Sequence, residues 1–372
     1  MRLIDVPGRP RRWLWLLTVA VVMAATATAV LGGSPRAIRP AATQAGIMSA
    51  GSLPGGSGGV PRFYLTVSSN GTAAPPRVQV HRSRDAEVTG MLLSPPGWRI
   101  QEVSAAADDR TFVVAESGLG TCPADRFFRF SVMGTGALTG LRQVAALADG
   151  MVEALAVSPD GTRLAFVSVC TTLAHPGPVW ILHVIDLASG AVTTWTNAVT
   201  AADPGDVAEI NGDSLAWTAD GRSLSVAYQW MPYAVNQADL AVLLLNPSGG
   251  SGTLQAHGRL VWHQVRGCVR CVSDAWISPD GRYLVAAATA GAIGPGAYRL
   301  VLERIALPAG RVAAVLFSTT IVSRVNGIPA LPLWGDGSGK YWLVYAGTRL
   351  GWVSDGQFHP LQPLGSVYAA AW

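Results

Sequence analysis

An all-β fold, a β-propeller of six four-stranded blades, is predicted by three features of this chain. A strand–turn–strand phrase recurs at a fixed interval. Apolar runs of strand length fill the intervals between the copies. The last residues read as one more inner strand, cut off before its turn.

The phrase runs Ala154-Leu-Ala-Val-Ser-Pro159-Asp160-Gly161-Thr-Arg-Leu-Ala-Phe-Val, then Ser214-Leu-Ala-Trp-Thr-Ala-Asp220-Gly221-Arg-Ser-Leu-Ser-Val-Ala, then Asp274-Ala-Trp-Ile-Ser-Pro279-Asp280-Gly281-Arg-Tyr-Leu-Val-Ala-Ala. Its aspartates stand 60 residues apart. A hairpin repeated at such a period means a radial array of small sheets. Asp-Gly predicts a two-residue type I′ turn between strands a and b, so Asp160, Asp220 and Asp280 read as turn formers. Two degraded copies extend the series. Around Asp109 the shape persists without the glycine, and around Asp336-Gly337 it persists with a longer turn.

Outer strands follow each copy. Val179 to Leu187 reads as strand c, then Ser189-Gly190 turns into strand d at Ala191–Trp195. Leu240–Leu245 before Ser248–Gly252, and Tyr298–Ile305 before Pro308–Gly310, repeat the arrangement. The ends then explain each other. Arg62–Val67 starts a blade that lacks an inner strand, and Ser366–Trp372 reads as an inner strand without a blade. Pairing the two closes the ring and removes open edges. Six blades result; five or seven stay open, because the 50–100 region is weakly patterned.

The phrase resembles the WD-like repeat of the TolB-type propeller family, best at 154–167 and 274–287 and less well at 215–227. That family contains periplasmic scaffolds, propeller modules of peptidases and exported actinobacterial proteins. The resemblance implies the fold and does not imply a function. No α/β domain precedes the propeller as it does in TolB, so TolB's partner contacts do not carry over.

Charged residues are 13% of the 372 and hydrophobic residues 49%, against about 25% charged in an ordinary soluble domain. Net charge is +4, of which +3 lies in residues 1–31 (Arg2, Arg9, Arg11 and Arg12 against Asp5). The remainder, +4 − 3 = +1, has no concentrated basic patch and excludes an electrostatic nucleic-acid binder. Residues 1–12 form a basic segment, and Trp13–Leu31 is a 19-residue stretch without a charge. As a helix it measures about 28 Å, close to a bilayer core of roughly 30 Å. The arginines before it orient the rest of the chain outside the cytoplasm. A single-pass signal-anchor in the cell membrane is the first expectation. A secreted form, cleaved after Ala27-Thr-Ala29, is the second. Residues 32–61, rich in Gly, Ser and Pro, read as a flexible linker, and 62–372 as the propeller.

Four cysteines in an exported domain predict disulfides. Cys122 follows strand b of one blade and Cys170 ends strand b of the next, which favours pairing them with each other and Cys268 with Cys271, the other two connectivities staying open. A zinc reading of His257, His263, Cys268 and Cys271 matches no known finger spacing. No nucleophile elbow is present. Glu153, Glu209, Asp213 and Asp274 lie near the starts of inner strands, where channel carboxylates of a metal-dependent hydrolase would sit. The plainer reading makes them caps of backbone amides. No catalytic residue, metal ligand or cofactor is assigned. The exposed feature is a predicted b–c loop, Gln229–Gln237, with Trp230, Met231 and Tyr233 as partner anchors. The connection Thr196–Asp213, carrying Asp203, Asp206 and Glu209, is expected on the same rim. The chain is thus expected to be a tethered or secreted scaffold for a protein or cell-envelope ligand; the alternative is a propeller hydrolase or lyase with channel carboxylates.

Overall fold

A computed structural model describes residues 59–372 except 70–75, 121, 148–149, 173–174, 197–206, 211–213, 232–238, 265–269, 295–296, 323–332, 347–348 and 362–365. The expected hydrophobic helix at 13–31 and most of the linker lie outside the described residues. Among the described residues no helix is long and apolar enough to cross a membrane.

Among the described residues twenty-six strands build six sheets, antiparallel except for the pairing of Val192–Thr196 with Gly252–Thr253. β1 (Phe63–Ser69), β2 (Arg77–Arg82) and β3 (Val88–Leu93) are the outer strands of blade 1. Blade 2 is β4 (Trp98–Ala105), β5 (Thr111–Gly118), β6 (Asp125–Val132) and β7 (Leu138–Leu147). Blade 3 is β8 (Met151–Val157), β9 (Arg163–Thr172), β10 (His175–Asp186) and β11 (Val192–Thr196). In blade 4 the inner position is split between β12 (Val207–Ile210) and β13 (Ala216–Trp217), both paired to β14 (Leu224–Met231). β15 (Asp239–Leu245) follows. A short strand β16 (Gly252–Thr253) and one helical turn α1 (Leu254–His257) then lead into the outer strand β17 (Gly258–Gln264). Blade 5 is β18 (Arg270–Ile277), β19 (Tyr283–Gly294), β20 (Ala297–Ala306) and β21 (Arg311–Val322). Blade 6 is β22 (Leu333–Gly335), β23 (Trp342–Ala346), β24 (Arg349–Ser354) and β25 (Gln357–Pro360). Finally β26 (Ser366–Ala371) pairs antiparallel with β1, Leu65 opposite Ala371, and becomes the inner strand of blade 1. The six-blade ring and its closure by the C-terminal strand are as the sequence predicts.

Strand lengths follow composition. Inner and second strands are runs of Ala, Val, Leu and Phe without interior proline, because both faces of each blade are covered by neighbours. The ring therefore has no single core; apolar clusters fill the seams between blades. Phe112, Phe130 and Ala369 join blades 1 and 2, and Trp195, Trp217 and Val226 join blades 3 and 4. Tyr64, Trp334 and Trp372 join blades 6 and 1.

Three sequence expectations are corrected. The Asp-Gly phrase does not form a two-residue type I′ turn. Ser158 N donates to Arg163 O (2.9 Å), and inside that loop Gly161 N donates to Ser158 O (2.8 Å). The loop is four residues long, and only Gly161 has positive φ (+69°). A type I′ turn would need positive φ at Asp160 as well, and Asp160 does not have it. Second, the blade 6 turn is no longer than the others. Asp336 N donates to Tyr341 O (3.0 Å) and Gly339 N to Asp336 O (3.0 Å), so Ser338-Gly339 replaces Asp-Gly. Third, Trp230 and Met231 lie at the end of strand β14, opposite Ala208 and Val207 of β12, and not in a loop.

Two buried histidines repeat one device. His81 of β2 stacks on Tyr64 directly across the ladder and bonds Thr66 Oγ1 at 3.0 Å. His183 of β10 stacks on Phe166 and bonds Ser168 Oγ at 2.9 Å. Burial holds the His183 imidazole down to about 4. Unfolded, the same ring protonates near 6.5. Its contribution to stability is therefore complete above 6.5 and is lost as pH falls towards 4. Over that window we expect about 3 kcal/mol of destabilisation. Urea titrations at stepped pH should show it, and His183→Gln should flatten the dependence.

Candidate functional site

The turns between strands a and b converge on one mouth of the channel. Five share one frame, first residue to sixth: Ala106–Thr111, Ser158–Arg163, Thr218–Ser223, Ser278–Tyr283 and Asp336–Tyr341. Their carboxylates are occupied locally. Asp160 accepts from Ser158 Oγ (2.6 Å) and Thr162 N (3.0 Å). Asp220 accepts from Thr218 Oγ1 (2.7 Å) and Arg222 N (2.9 Å), and Asp280 from Ser278 Oγ (2.6 Å) and Arg282 N (3.1 Å). The hydroxyl bonds from Thr218 and Ser278 hold Asp220 and Asp280 below the usual carboxylate range. In Asp160, partial burial opposes the same effect and is outweighed. Neighbouring turns bond to each other as well. Ala107 N donates to Pro159 O (3.3 Å), Ala219 N to Pro279 O (2.9 Å) and Arg129 Nη1 to Gly161 O (3.3 Å). Hydrogen bonds thus tie the blade 2 turn to blade 3 and the blade 4 turn to blade 5.

Below the turns lies a central cavity of about 110 Å³. Trp217, Trp276, Trp334 and Trp372 line it, with alanines from several inner strands and the residues Glu102 and Asp336. A cavity of that volume has room for several waters and is small for a drug-sized ligand. Of the carboxylates singled out from the sequence, Glu153 and Asp274 do not line it. Asp274 is 1% exposed and stitches three blades: Ser214 Oγ of blade 4 donates to it, and it accepts from Leu333 N of blade 6 at 2.9 Å. Glu153 accepts from Trp180 Nε1 (3.2 Å), and burial raises its pKa. Glu209 has its backbone in β12, beside Gln229; its side chain, and Asp213, lie outside what is described.

Glu153 sits at, and Asp274 directly after, a feature that strand patterning misses. Inner strands of four blades carry a one-residue bulge, at Gln101, Glu153, Ser273 and Tyr368. In blades 2, 3 and 5 it falls five residues before the first turn residue. Bulges re-aim side chains at the rims of closed sheets. Only the recurrence of polar or bulky residues at that offset could have signalled it.

The opposite mouth carries the b–c and d–a connections. Here Cys122 and Cys170 form a disulfide with Cα atoms 5.1 Å apart, joining blades 2 and 3. Cys271 is also disulfide-bonded, which removes it as a zinc thiolate, and Cys268 lies outside the described residues. Beneath the Cys122–Cys170 bridge, Gly150 N donates to Pro123 O (3.2 Å). A Cβ on Gly150 would fall 2.4 Å from Val169 O. Leu119 (64% exposed) lies three residues before Cys122, and Met151 (38%) pairs with Val169, the residue before Cys170. Nearby, Arg126 lies 3.7 Å above the Trp98 ring and bonds Glu116 at 2.9 Å. Of the predicted anchors, Trp230 and Met231 are placed by their backbone on this mouth. Tyr233, Asp203 and Asp206 lie outside the described residues. Sequence reasoning missed Leu119 and Met151, since lone apolar residues beside turns carry no pattern. Among the described residues no three His, Cys, Asp or Glu side chains form a metal-binding group.

No protein-family model and no curated protein matches the chain. Solved structures do. The periplasmic gluconolactonase of Pseudomonas aeruginosa matches at 16% identity and a TM-score of 0.48, covering 83% of this chain and 98% of that one. A Bacteroides caccae protein of unknown function matches at 12% and 0.44, with the same coverages. An oligogalacturonate lyase in complex with manganese matches at 13% and 0.43, covering 77% and 72%. At these identities nothing of their chemistry transfers to this chain.

Proposed function

We propose that this chain is an extracytoplasmic propeller that binds a protein or cell-envelope partner through the loop mouth at blades 2 and 3. The observation that carries the reading is the pair of exposed apolar side chains, Leu119 and Met151, beside the Cys122–Cys170 bridge. Binding residues concentrate on connections held by a rigid scaffold, and methionine is over-used at adaptable binding surfaces. A disulfide across two blades fits an oxidising compartment, and the 13–31 segment supplies a membrane anchor or a secretion signal. Photo-crosslinkers installed in place of Leu119 and, as control, Asp355 of the opposite mouth test it in intact cells. Adducts are expected from position 119 and not from 355, and Met151→Asp should suppress them. Equal adducts from both positions would sink the reading.

The second reading, a hydrolase or lyase with channel carboxylates, is favoured by one observation: Glu102 lines the cavity. Metal analysis of the purified protein, with a Glu102→Gln variant as comparison, separates the two readings. A stoichiometric divalent ion lost in Glu102→Gln would favour the enzyme.

A further inference from the structure

The second residue of each a–b turn lines the central cavity: Ala107, Pro159, Ala219, Pro279 and Gly337. None of them offers it a backbone donor. Proline has no N–H. The other three donate to neighbouring turns: Ala107 N to Pro159 O, Ala219 N to Pro279 O and Gly337 N to Asp109 Oδ1. Two of the indoles withhold their donors as well. Trp217 Nε1 donates to Ala156 O at 3.1 Å, and Trp372 Nε1 is buried. Among the described lining residues the titratable ones are Glu102 and Asp336, both acidic, and no Lys, Arg or His is among them. An anionic ligand would find two carboxylates there and no cation to meet it. The lining is made for a positive guest.

The kind of cation follows from what the carboxylates can still do. A divalent metal takes several oxygen ligands directly. Asp336 is committed to its own turn: Oδ1 accepts from Lys340 N and Tyr341 N, both at 2.9 Å, and Oδ2 from Ser338 N (3.2 Å) and Ser338 Oγ. It supplies charge without a coordination bond. The tryptophans supply the rest. The face of an indole carries negative potential, and aromatic cages hold quaternary ammonium groups by it. The chain already uses this attraction once, with the Arg163 guanidinium 4.8 Å from the Trp217 ring centre. That ring is taken, which leaves Trp276, Trp334 and Trp372, contributed by blades 5, 6 and 1. We infer that the central cavity binds a small quaternary ammonium ion, caged by Trp276, Trp334 and Trp372 and balanced by the charges of Glu102 and Asp336. A volume of about 110 Å³ suits tetramethylammonium or the head of choline and excludes bulkier ions. The inference stands apart from the partner surface at the loop mouth.

Calorimetric titration of the full-length protein, in EDTA and at constant ionic strength, tests it. The EDTA keeps divalent ions out of the measurement. Tetramethylammonium and choline should bind saturably, and tetrabutylammonium should not. Choline should bind about tenfold more tightly than dimethylbutanol, its uncharged carbon isostere. Glu102→Gln keeps the size of the side chain and removes its charge. It should weaken choline about tenfold and leave dimethylbutanol unchanged. Trp276→Phe keeps a ring with a weaker face and should weaken choline too; should that variant fail to fold, Glu102→Gln reads the site alone. Four results would each overturn the inference. They are titrations that do not saturate, dimethylbutanol binding as tightly as choline, tetrabutylammonium binding as tightly as tetramethylammonium, and a Glu102→Gln variant with wild-type affinity for choline.

Discussion

Removal of residues 366–372 is expected to abolish cooperative folding. β26 carries Ala369, Ala370, Ala371 and Trp372, all at most 5% exposed, into the seams on both sides of blade 1. Truncating one buried tryptophan to alanine costs about 3–5 kcal/mol, a large share of a total stability of about 5–15 kcal/mol. The deletion also strips the β1 ladder from Leu65 to Ser69 and leaves an apolar edge open. Trp372→Ala alone should lower the urea midpoint clearly, while the deletion should give an aggregating chain without a sigmoidal transition. Moving the segment rescues it. Ala371 lies opposite Leu65, so Ser366–Trp372 placed before Phe63 through a Ser-Pro-Asp-Gly-Thr loop would rebuild blade 1 as an ordinary meander. That permutant should unfold cooperatively. A deletion variant that still melts as one unit would refute the closure argument.

The closure strand was legible because a propeller repeats, so a half-copy at one end stands out against three complete copies. Turn chemistry was legible in part. Asp160, Asp220 and Asp280 announce turns, but the turn type depends on φ at the aspartate, which a dipeptide does not set. In blade 6 the roles are exchanged: Asp336 takes the first position and accepts from Ser338 Oγ, where Ser158 donates to Asp160. A motif search for Asp-Gly then lands two residues early. Other parts had no local signal. β16 leaves blade 4 and pairs parallel with β11 of blade 3, Trp195 beside Gly252, and Leu254 follows it into the seam. That strap covers an outer edge by a tertiary contact between segments about 57 residues apart. The candidate site was least legible of all. Leu119 and Met151 belong to different blades, and what relates them is the disulfide from a b–c connection to the end of β9, beside which Met151 pairs.

Breaking the Cys122–Cys170 bridge is expected to destabilise the ring without unfolding it. The bridge closes a segment with a sequence separation of 48, which in the chain-entropy account corresponds to about 4 kcal/mol. For a domain of this size that is a fall of about 6 °C in Tm. Native structure should survive, because the same seam keeps other bonds. Val152 N still donates to Ser117 Oγ (3.3 Å), Gly150 N to Pro123 O (3.2 Å) and Val157 N to Ser104 Oγ (3.2 Å). Phe127 and Phe166 remain packed across it with ring centres 4.6 Å apart. The double variant Cys122→Ser, Cys170→Ser should therefore melt cooperatively at a lower temperature, with near-ultraviolet circular dichroism retained. Partner capture should suffer more than folding does. The connection bearing Leu119 is tied to blade 3 by this bridge, and freeing it adds an ordering cost to every binding event. Calorimetry and crosslinking from position 119 on the same variant read the two effects separately. A variant that keeps its Tm would show that the seam alone fixes the geometry, and one that loses near-ultraviolet structure would show that the bridge is needed to form it.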